Sequence, residues 1–204
     1  MPISHRDLML ATPASSPFDS PGWLYELRYD GYRAIAIRQG DKARLISRRG
    51  NDLSPRFPEI IECLLELPEC VLDAELVMLD DKGRPHFERL RRRAMMRKEI
   101  SIRNAAQWEP AVLFVFDMLS VRGKDLRKLR LLKRKEAVQH VVGSVLGRFR
   151  RVRVVQHVGE QGQRLYDSAR ELGLEGIMAK RADSAYRAGR SRDWLKIRTP
   201  RRVD

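Results

Sequence analysis

The sequence predicts an α+β fold whose sheets are mostly antiparallel. Short alternating apolar segments separated by Gly-containing turns come first, and segments with helical periodicity are scattered later in the chain. The 204 residues are 43% hydrophobic and 33% charged, which suits one globular domain or two small ones. A chain of this length buries a core without disulfides or structural metals.

Eight strands are predicted from β-branched and aromatic content and from the turns between them. Asp30-Gly31 is expected to join the first two strands in a tight turn, because this pair tolerates positive φ. The strands cover residues 23–29, 32–38, 42–47, 70–79, 111–119, 152–158, 174–181 and 194–198. The predicted helices cover residues 58–67, 87–96, 131–146 and 161–172, and residues 12–21 are expected to be ordered coil.

Several protein classes are excluded by composition. The apolar run 111–116 ends at Asp117, far short of the about 20 residues that span a bilayer. Residues 1–10 contain no apolar secretory core. Cys63 and Cys70 form neither a disulfide framework nor a zinc-ligand pattern. We therefore expect a reduced, cytosolic protein.

The charge of the chain is strongly positive. Lys and Arg number 41 against 27 Asp and Glu, a net charge of +14, and 32 of the 41 are Arg. Arg binds phosphate in a bidentate manner, so this bias favours an anionic partner such as nucleic acid. A codon preference for Arg explains the same bias, and composition alone leaves both readings open.

Six segments contain candidate functional residues. Each segment alone is weak evidence for a function, because an Asp-Gly turn or a lysine at a strand end more often has a structural role. The segments are Glu26-Leu-Arg-Tyr-Asp-Gly-Tyr-Arg33, Ser47-Arg-Arg-Gly50, Leu72-Asp-Ala-Glu-Leu-Val77, Leu113-Phe-Val-Phe-Asp-Met118, Glu175-Gly-Ile-Met-Ala-Lys180 and Trp194-Leu-Lys-Ile-Arg198.

In this order and spacing the segments resemble the nucleotidyltransferase domain of ATP-dependent DNA ligases, RNA ligases and capping enzymes, in particular the ligase module of bacterial ligase D. The similarity runs from Leu8 to Arg198, and residues 47–53 and 186–190 strengthen it. It implies two packed, mostly antiparallel sheets flanked by helices, an ATP-grasp-like fold. Residues 1–198 would form the adenylation domain, and residues 199–204 a tail or the stub of an absent OB-fold domain.

The resemblance implies a three-step reaction with ATP. A lysine attacks the α-phosphorus, AMP passes to a DNA 5′-phosphate, and a 3′-hydroxyl displaces AMP. Each step develops negative charge on phosphate oxygens, which requires positioned cations. Lys180 and Lys196 match the catalytic cations that face the α-phosphate. Glu75 and Glu175 match the acidic positions that hold the ribose and a Mg²⁺ (or Mn²⁺) ion, and Asp73 supports either role.

The remaining matches concern the nucleotide. Phe116 matches the aromatic residue that stacks on adenine, and Glu26 an adenine-contacting carboxylate. Arg33 and Arg48 match ribose and phosphate contacts. Arg198 stands where the family usually has a second lysine in its last motif. The implied cofactors are thus ATP or AMP together with the divalent metal.

One departure concerns the nucleophile itself. The family pattern Glu-x-Lys-x-Asp-Gly-x-Arg places the attacking lysine at position 28, where this chain has Arg28. Attack needs a free amine lone pair, and a guanidinium stays protonated with its lone pairs delocalised. We therefore expect self-adenylation to be lost.

Basic clusters predict the DNA surface. Residues 84–103 contain eight basic and two acidic residues, and residues 180–202 contain nine and two. Binding to several phosphates would be steeply salt-dependent. Three successive arginines on a helix cannot share one face, so one of them is expected to be solvated or paired. The candidate contacts are Arg91, Arg92, Arg93, Arg97 and Lys98.

Three functional readings follow. The first is a bacterial, nucleoid-associated DNA ligase domain that acts on nicked or broken double-stranded DNA in repair or end joining. The resemblance suggests, by association, a Ku-like end-binding protein or a separate OB-fold chain as further partners. The second reading is an inactive module that binds nucleotide and DNA. The third is an RNA ligase or capping-type nucleotidyltransferase, which residues 17–23 disfavour because they resemble the end-joining ligases.

Overall fold

The computed structural model describes residues 3–143 and 151–200. Two sheets are built from the strands β1 (Met9–Pro13), β2 (Trp23–Arg28), β3 (Tyr32–Gln39), β4 (Lys42–Ser47), β5 (Cys70–Val77), β6 (Val112–Val121), β7 (Lys124–Asp125), β8 (Val152–Val154), β9 (His157–Gly159), β10 (Gly176–Arg181) and β11 (Gly189–Arg198). The helices are α1 (Pro58–Leu65), α2 (Phe87–Ala94), α3 (Glu99–Trp108), α4 (Leu131–Gly143) and α5 (Gly162–Glu171).

The first sheet has the strand order β1-β11-β10-β2-β9, and the second has the order β4-β3-β5-β6-β7 with β8 beside β6. All strand pairs are antiparallel except β1 with β11 and β6 with β8. The predicted α+β class with two mostly antiparallel sheets is therefore confirmed. In the described part of the chain, no helix has the length and apolar character needed to cross a membrane.

Each sheet has a helix-covered face and a face toward the other sheet. Helix α5 covers the first sheet, where Tyr25, Ile177 and Ile197 form a core with Ala169 of the helix. Helices α1 and α4 cover the second sheet. Because successive strand residues point to opposite faces, the residues between these core positions point toward the space between the sheets.

The prediction of a tight turn with positive φ at Asp30-Gly31 is wrong. Strands β2 and β3 belong to different sheets, so residues 29–31 carry the chain from one sheet to the other. Gly31 does not have a positive φ. Its role is close approach, because a Cβ at this position would lie 2.3 Å from the Leu76 carbonyl oxygen. Arg28 and Arg33 consequently stand on facing sheets.

Other predicted boundaries also change. The predicted strand 152–158 is two short strands, since β8 pairs with β6 in one sheet and β9 with β2 in the other. Strand β1, which begins before the expected coil, and helix α3 were not predicted. Only Ile102 of α3 is buried, so this helix has no apolar stripe to reveal it. Residues 144–146 of the predicted third helix and 201–204 of the predicted tail lie outside the described residues.

A buried ion pair joins α4 to the second sheet. Asp117 and Arg134 are both fully buried. Nε of Arg134 donates to Oδ1 of Asp117 at 2.8 Å, and Nη2 donates to Oδ2 at 3.0 Å. Nη1 donates to the carbonyl oxygens of Leu129 at 2.6 Å and Ser184 at 2.9 Å. This arginine thus links α4, β6 and the segment after β10.

Removing the cation of this pair should destabilise the fold strongly. We expect Arg134→Met to lower the free energy of unfolding by about 3–5 kcal/mol, because it leaves the Asp117 carboxylate buried without a counter-charge. Urea denaturation at pH 7 measures this value.

The matched control is Lys133→Met on the same helix. Lys133 pairs with Glu136 at 2.7 Å, but the two side chains are 49% and 61% exposed. Its loss should cost less than about 1 kcal/mol. Equal effects of the two substitutions would contradict the structural role of Arg134.

Candidate functional site

A cleft of about 1050 Å³ lies between the two sheets. Strand alternation explains which residues reach it. In β2, Tyr25 points into the core beneath α5, so Glu26 and Arg28 face the cleft. Nine of the residues predicted from the sequence line it, namely Glu26, Arg28, Arg33, Arg48, Glu75, Arg91, Phe116, Lys180 and Lys196.

The second sheet contributes its side of the cleft in the same way. Ala34, Ala74 and Val115 lie in the core beneath the helices. Their neighbours Arg33, Glu75 and Phe116 therefore belong to the opposite face, and Arg33 lies directly opposite Glu75 in the β3–β5 register. The cleft is thus walled by charged residues from both sheets and by aromatic residues that include Phe116 and Trp194.

Glu26 is buried between two lysines. Its carboxylate accepts a hydrogen bond from Lys180 Nζ at 2.7 Å on Oε2, and Lys135 Nζ pairs with Oε1. Burial alone would raise the pKa of Glu26, but the charges of Lys135 and Lys180 outweigh it and hold that pKa below its usual value. Lys135 comes from α4, outside the six sequence segments, and no motif or spacing identified it.

Lys180 occupies an unusual environment for a lysine. It is 1% exposed, and its Nζ lies 4.5 Å from the ring centroid of Phe116 and 4.2 Å from that of Trp194. Burial and the charge of Lys135 together lower the pKa of Lys180 to about 8, although the Glu26 carboxylate opposes both effects. The aromatic rings and the Glu26 carboxylate therefore hold an ammonium at the base of the cleft.

Arg33 is anchored in the cleft wall. Its Nε donates to Asp73 Oδ1 at 3.0 Å, and its Nη2 donates to Asp73 Oδ2 at 2.6 Å and to the Met9 carbonyl oxygen at 2.7 Å. The Tyr186 hydroxyl also donates to Asp73 Oδ2, at 2.6 Å. This network connects both sheets, and it fixes the guanidinium of Arg33 beside Phe116, 5.5 Å from the ring centroid.

Arg28 pairs with Glu175 at the other end of β2. Its Nη1 lies 2.6 Å from Glu175 Oε1, and the two side chains are 23% and 29% exposed. Burial raises the pKa of nearby Glu75 to about 8, against the lowering effect of Arg33 and Arg28. The pKa of Lys196 is lowered by burial and by the charges of Arg198 and Arg28.

The predicted metal ligands are Glu75 and Glu175. Magnesium is commonly bound by one or two carboxylates together with substrate phosphates, so the donor type is suitable. However, Arg28 already neutralises Glu175 with a permanent positive charge. No group of three or more Asp, Glu, His or Cys side chains suited to a metal occurs within residues 3–143 and 151–200. As arranged here, the two carboxylates do not fit a divalent cation.

The structure also separates some predicted residues from the cleft. Glu175 does not line the cleft, but it pairs with Arg28, which does. Arg198 is exposed and does not line the cleft either. Arg92, Arg97 and Lys98 are exposed in and after α2 and do not line the cleft, whereas exposed Arg91 does.

The prediction that Arg93 contacts DNA is wrong, because Arg93 is 1% exposed and therefore lies outside any DNA-contacting surface. It pairs with Glu59 at 2.9 Å and donates to the Ile102 carbonyl oxygen at 2.7 Å. It is the member of the arginine triplet that turns inward.

The fold of this chain is similar to that of solved ligase structures. The ligase domain of Mycobacterium tuberculosis LigD superposes with a TM-score of 0.73 at 27% identity, covering 93% of this chain and 59% of that one. A mycobacterial DNA ligase D complexed with ATP and MES gives a TM-score of 0.72 at 26% identity, covering 94% and 60%. Two sheets around a cleft of lysines and carboxylates thus define a nucleotidyltransferase domain of the ATP-dependent ligase type.

The sequence comparisons specify the family. The model of the ATP-dependent DNA ligase domain matches residues 8–198, and the chain belongs to this family. It is 35% identical over 179 residues to the multifunctional non-homologous end joining protein LigD of Pseudomonas aeruginosa, covering 86% of this chain and 20% of that protein. It is 32% identical over 183 residues to a DNA ligase of Thermococcus fumicolans, covering 85% and 32%. The chain therefore spans about a fifth to a third of these relatives.

Proposed function

We propose that this chain is a DNA ligase-family domain that binds ATP or AMP and acts on nicked or broken double-stranded DNA in repair or end joining, without self-adenylation. The observation that carries the proposal is Arg28, which occupies the position of the family lysine inside an otherwise retained cleft. A guanidinium stays protonated and has no free lone pair to attack the α-phosphorus of ATP.

Residues for nucleotide binding remain in the cleft. Phe116 offers an aromatic face beside Lys180, and the hydrogen bond from Lys180 holds the Glu26 carboxylate at the same place in the cleft. Lys180 and Lys196 provide cations for phosphate oxygens. Binding of an adenine nucleotide therefore does not depend on a lysine at position 28.

The last ligation step also does not use that lysine. In this step the 3′-hydroxyl oxygen attacks the phosphorus of the adenylated 5′-phosphate and forms the new phosphodiester bond. The phosphoanhydride bond to AMP breaks, AMP leaves, and the hydroxyl proton passes to solvent. The protein must stabilise the charge that develops on the phosphate, which Lys180 and Lys196 can do. We infer that the chain seals a nick that already carries AMP, but slowly.

We expect the wild-type protein to seal a pre-adenylated nick and Arg28→Lys to seal it at a similar rate. Lys180→Met should reduce sealing about 10²-fold, because it removes one positioned cation. Gel analysis of single-turnover sealing measures the rates, with Lys133→Met as the control.

Sealing by Arg28→Lys but not by the wild type would contradict this proposal. Absence of sealing by both would favour the second candidate, a module that binds nucleotide and DNA without chemistry. Two observations favour that candidate. Both Glu26 oxygens are paired with lysines, and Glu175 is paired with Arg28. These carboxylates are therefore already neutralised and are not free to take part in a reaction. The RNA-ligase and capping interpretation loses support, since the family model is that of an ATP-dependent DNA ligase domain and the relatives are an end joining protein LigD and a DNA ligase.

The proposed DNA surface continues outward from the cleft. Arg91 lines the cleft from α2, and exposed Arg92, Arg97 and Lys98 extend this charge toward α3. Contacts to phosphates release counterions and make binding steeply salt-dependent. A bacterial nucleoid location, a Ku-like end-binding protein and a separate OB-fold chain are proposed on the resemblance to ligase D alone, and pull-down from the source cells tests the two partners.

We expect the double variant Arg97→Ala/Lys98→Ala to weaken binding to nicked DNA about equally for all sequences. The slope of log K against log salt concentration should fall by about 2, because two phosphate contacts are lost. Fluorescence anisotropy over a salt series measures both.

The control for this experiment removes two exposed charges elsewhere. The double variant Arg164→Ala/Arg170→Ala replaces two exposed residues of α5, on the outer face of the first sheet. It changes the net charge by the same amount as Arg97→Ala/Lys98→Ala. Equal loss of binding in both double variants would show a general charge effect and refute the assigned surface.

A further inference from the structure

We propose that Arg28 takes the place of a divalent cation beside Glu175 and Glu75, so that the cleft binds the phosphate of an adenine nucleotide without a metal ion. The nucleotide part of this inference rests on the proposed function. The part that concerns the metal rests on the geometry of Arg28 and the two carboxylates alone.

Strand pairing brings these three residues together. In the β2–β10 register Arg28 lies opposite Gly176, the residue after Glu175. Its Nη1 is then 2.6 Å from Glu175 Oε1. Glu75 projects from the second sheet into the cleft that Arg28 also lines. Arg28 is therefore paired with one of the two carboxylates that were predicted to share a metal, and it lines the cleft together with the other.

The positive charge of Arg28 cannot be removed by deprotonation. A lysine ammonium can become neutral, whereas a guanidinium remains charged throughout the accessible pH range. A divalent ion at these carboxylates would have to displace Arg28 from Glu175 or remain close to its positive charge. Lys196 on β11 adds further repulsion, since Arg28 and Glu175 both act on its charge. Metal binding is disfavoured by this chain's own side chains.

The same arrangement suits a phosphate group. Arg28 lines the cleft, and its partial exposure allows the N–H groups that Glu175 does not use to reach a phosphate oxygen. Lys196 lines the cleft as well. Together these two side chains provide the positive charge that a magnesium ion otherwise supplies to a phosphate.

The first test measures the metal directly. We titrate Mn²⁺ into the full chain and follow free Mn²⁺ by electron paramagnetic resonance. The wild type should show no site that depends on Glu175, whereas Arg28→Gln should bind one Mn²⁺ at least tenfold more tightly than the wild type. Arg28→Gln/Glu175→Gln should lose this site again. Lys42→Gln, which removes an exposed positive charge on β4, should behave as the wild type.

Two results would overturn the inference. One is a Mn²⁺ site in the wild type that Glu175→Gln abolishes. The other is failure of both Arg28→Gln and the smaller Arg28→Ala, each shown to be folded by circular dichroism, to gain Mn²⁺ affinity.

The second test measures the ligand. Calorimetric titration with AMP should give wild-type dissociation constants that agree within twofold in EDTA and in MgCl₂ at equal ionic strength. Arg28→Gln should bind AMP at least tenfold more weakly in EDTA and regain affinity in MgCl₂. Wild-type binding that requires Mg²⁺ would overturn the inference. Absence of AMP binding in every variant would refute the proposed nucleotide site, while the Mn²⁺ titration would still decide the role of Arg28.

Discussion

The burial of carboxylates in and between the two sheets is the constraint on which the cleft depends. Glu26, Asp73 and Asp117 are each at most 2% exposed. A carboxylate removed from water is costly unless a cation with good geometry compensates it, so each of these residues requires a partner from another element. Those partners, Lys180, Arg33 and Arg134, are thereby fixed in position. Lys180 and Arg33 line the cleft, so the pairs that compensate buried carboxylates also position residues that face a ligand.

Arg28 is best understood against this background of paired charges. Its guanidinium is paired with Glu175 and lines the same cleft as Glu75, so its positive charge is already compensated within the site. We propose that arginine in place of the family lysine removes the nucleophile and at the same time makes the positive charge at this position permanent. Both the proposed loss of self-adenylation and the proposed independence from metal follow from the chemistry of this one side chain.

Much of the cleft could be predicted because strand alternation is local. Glu26 and Arg28 alternate with apolar residues in sequence, and the structure places them on one face. Lys135 and the burial of Arg93 could not be predicted, because both depend on the distant carboxylates of Glu26 and Glu59. Gly31 was misassigned for a related reason. An Asp-Gly pair in sequence does not distinguish a hairpin turn from a crossing between two sheets.

The most direct test of the central claim is intact-mass spectrometry of the protein after incubation with ATP and MgCl₂, for the wild type and Arg28→Lys in parallel. The account predicts that only Arg28→Lys gains the mass of one AMP. This result would show that the cleft is competent and that position 28 alone prevents adenylation. A wild-type protein that gains AMP would contradict the account, because another side chain would then have to be the nucleophile.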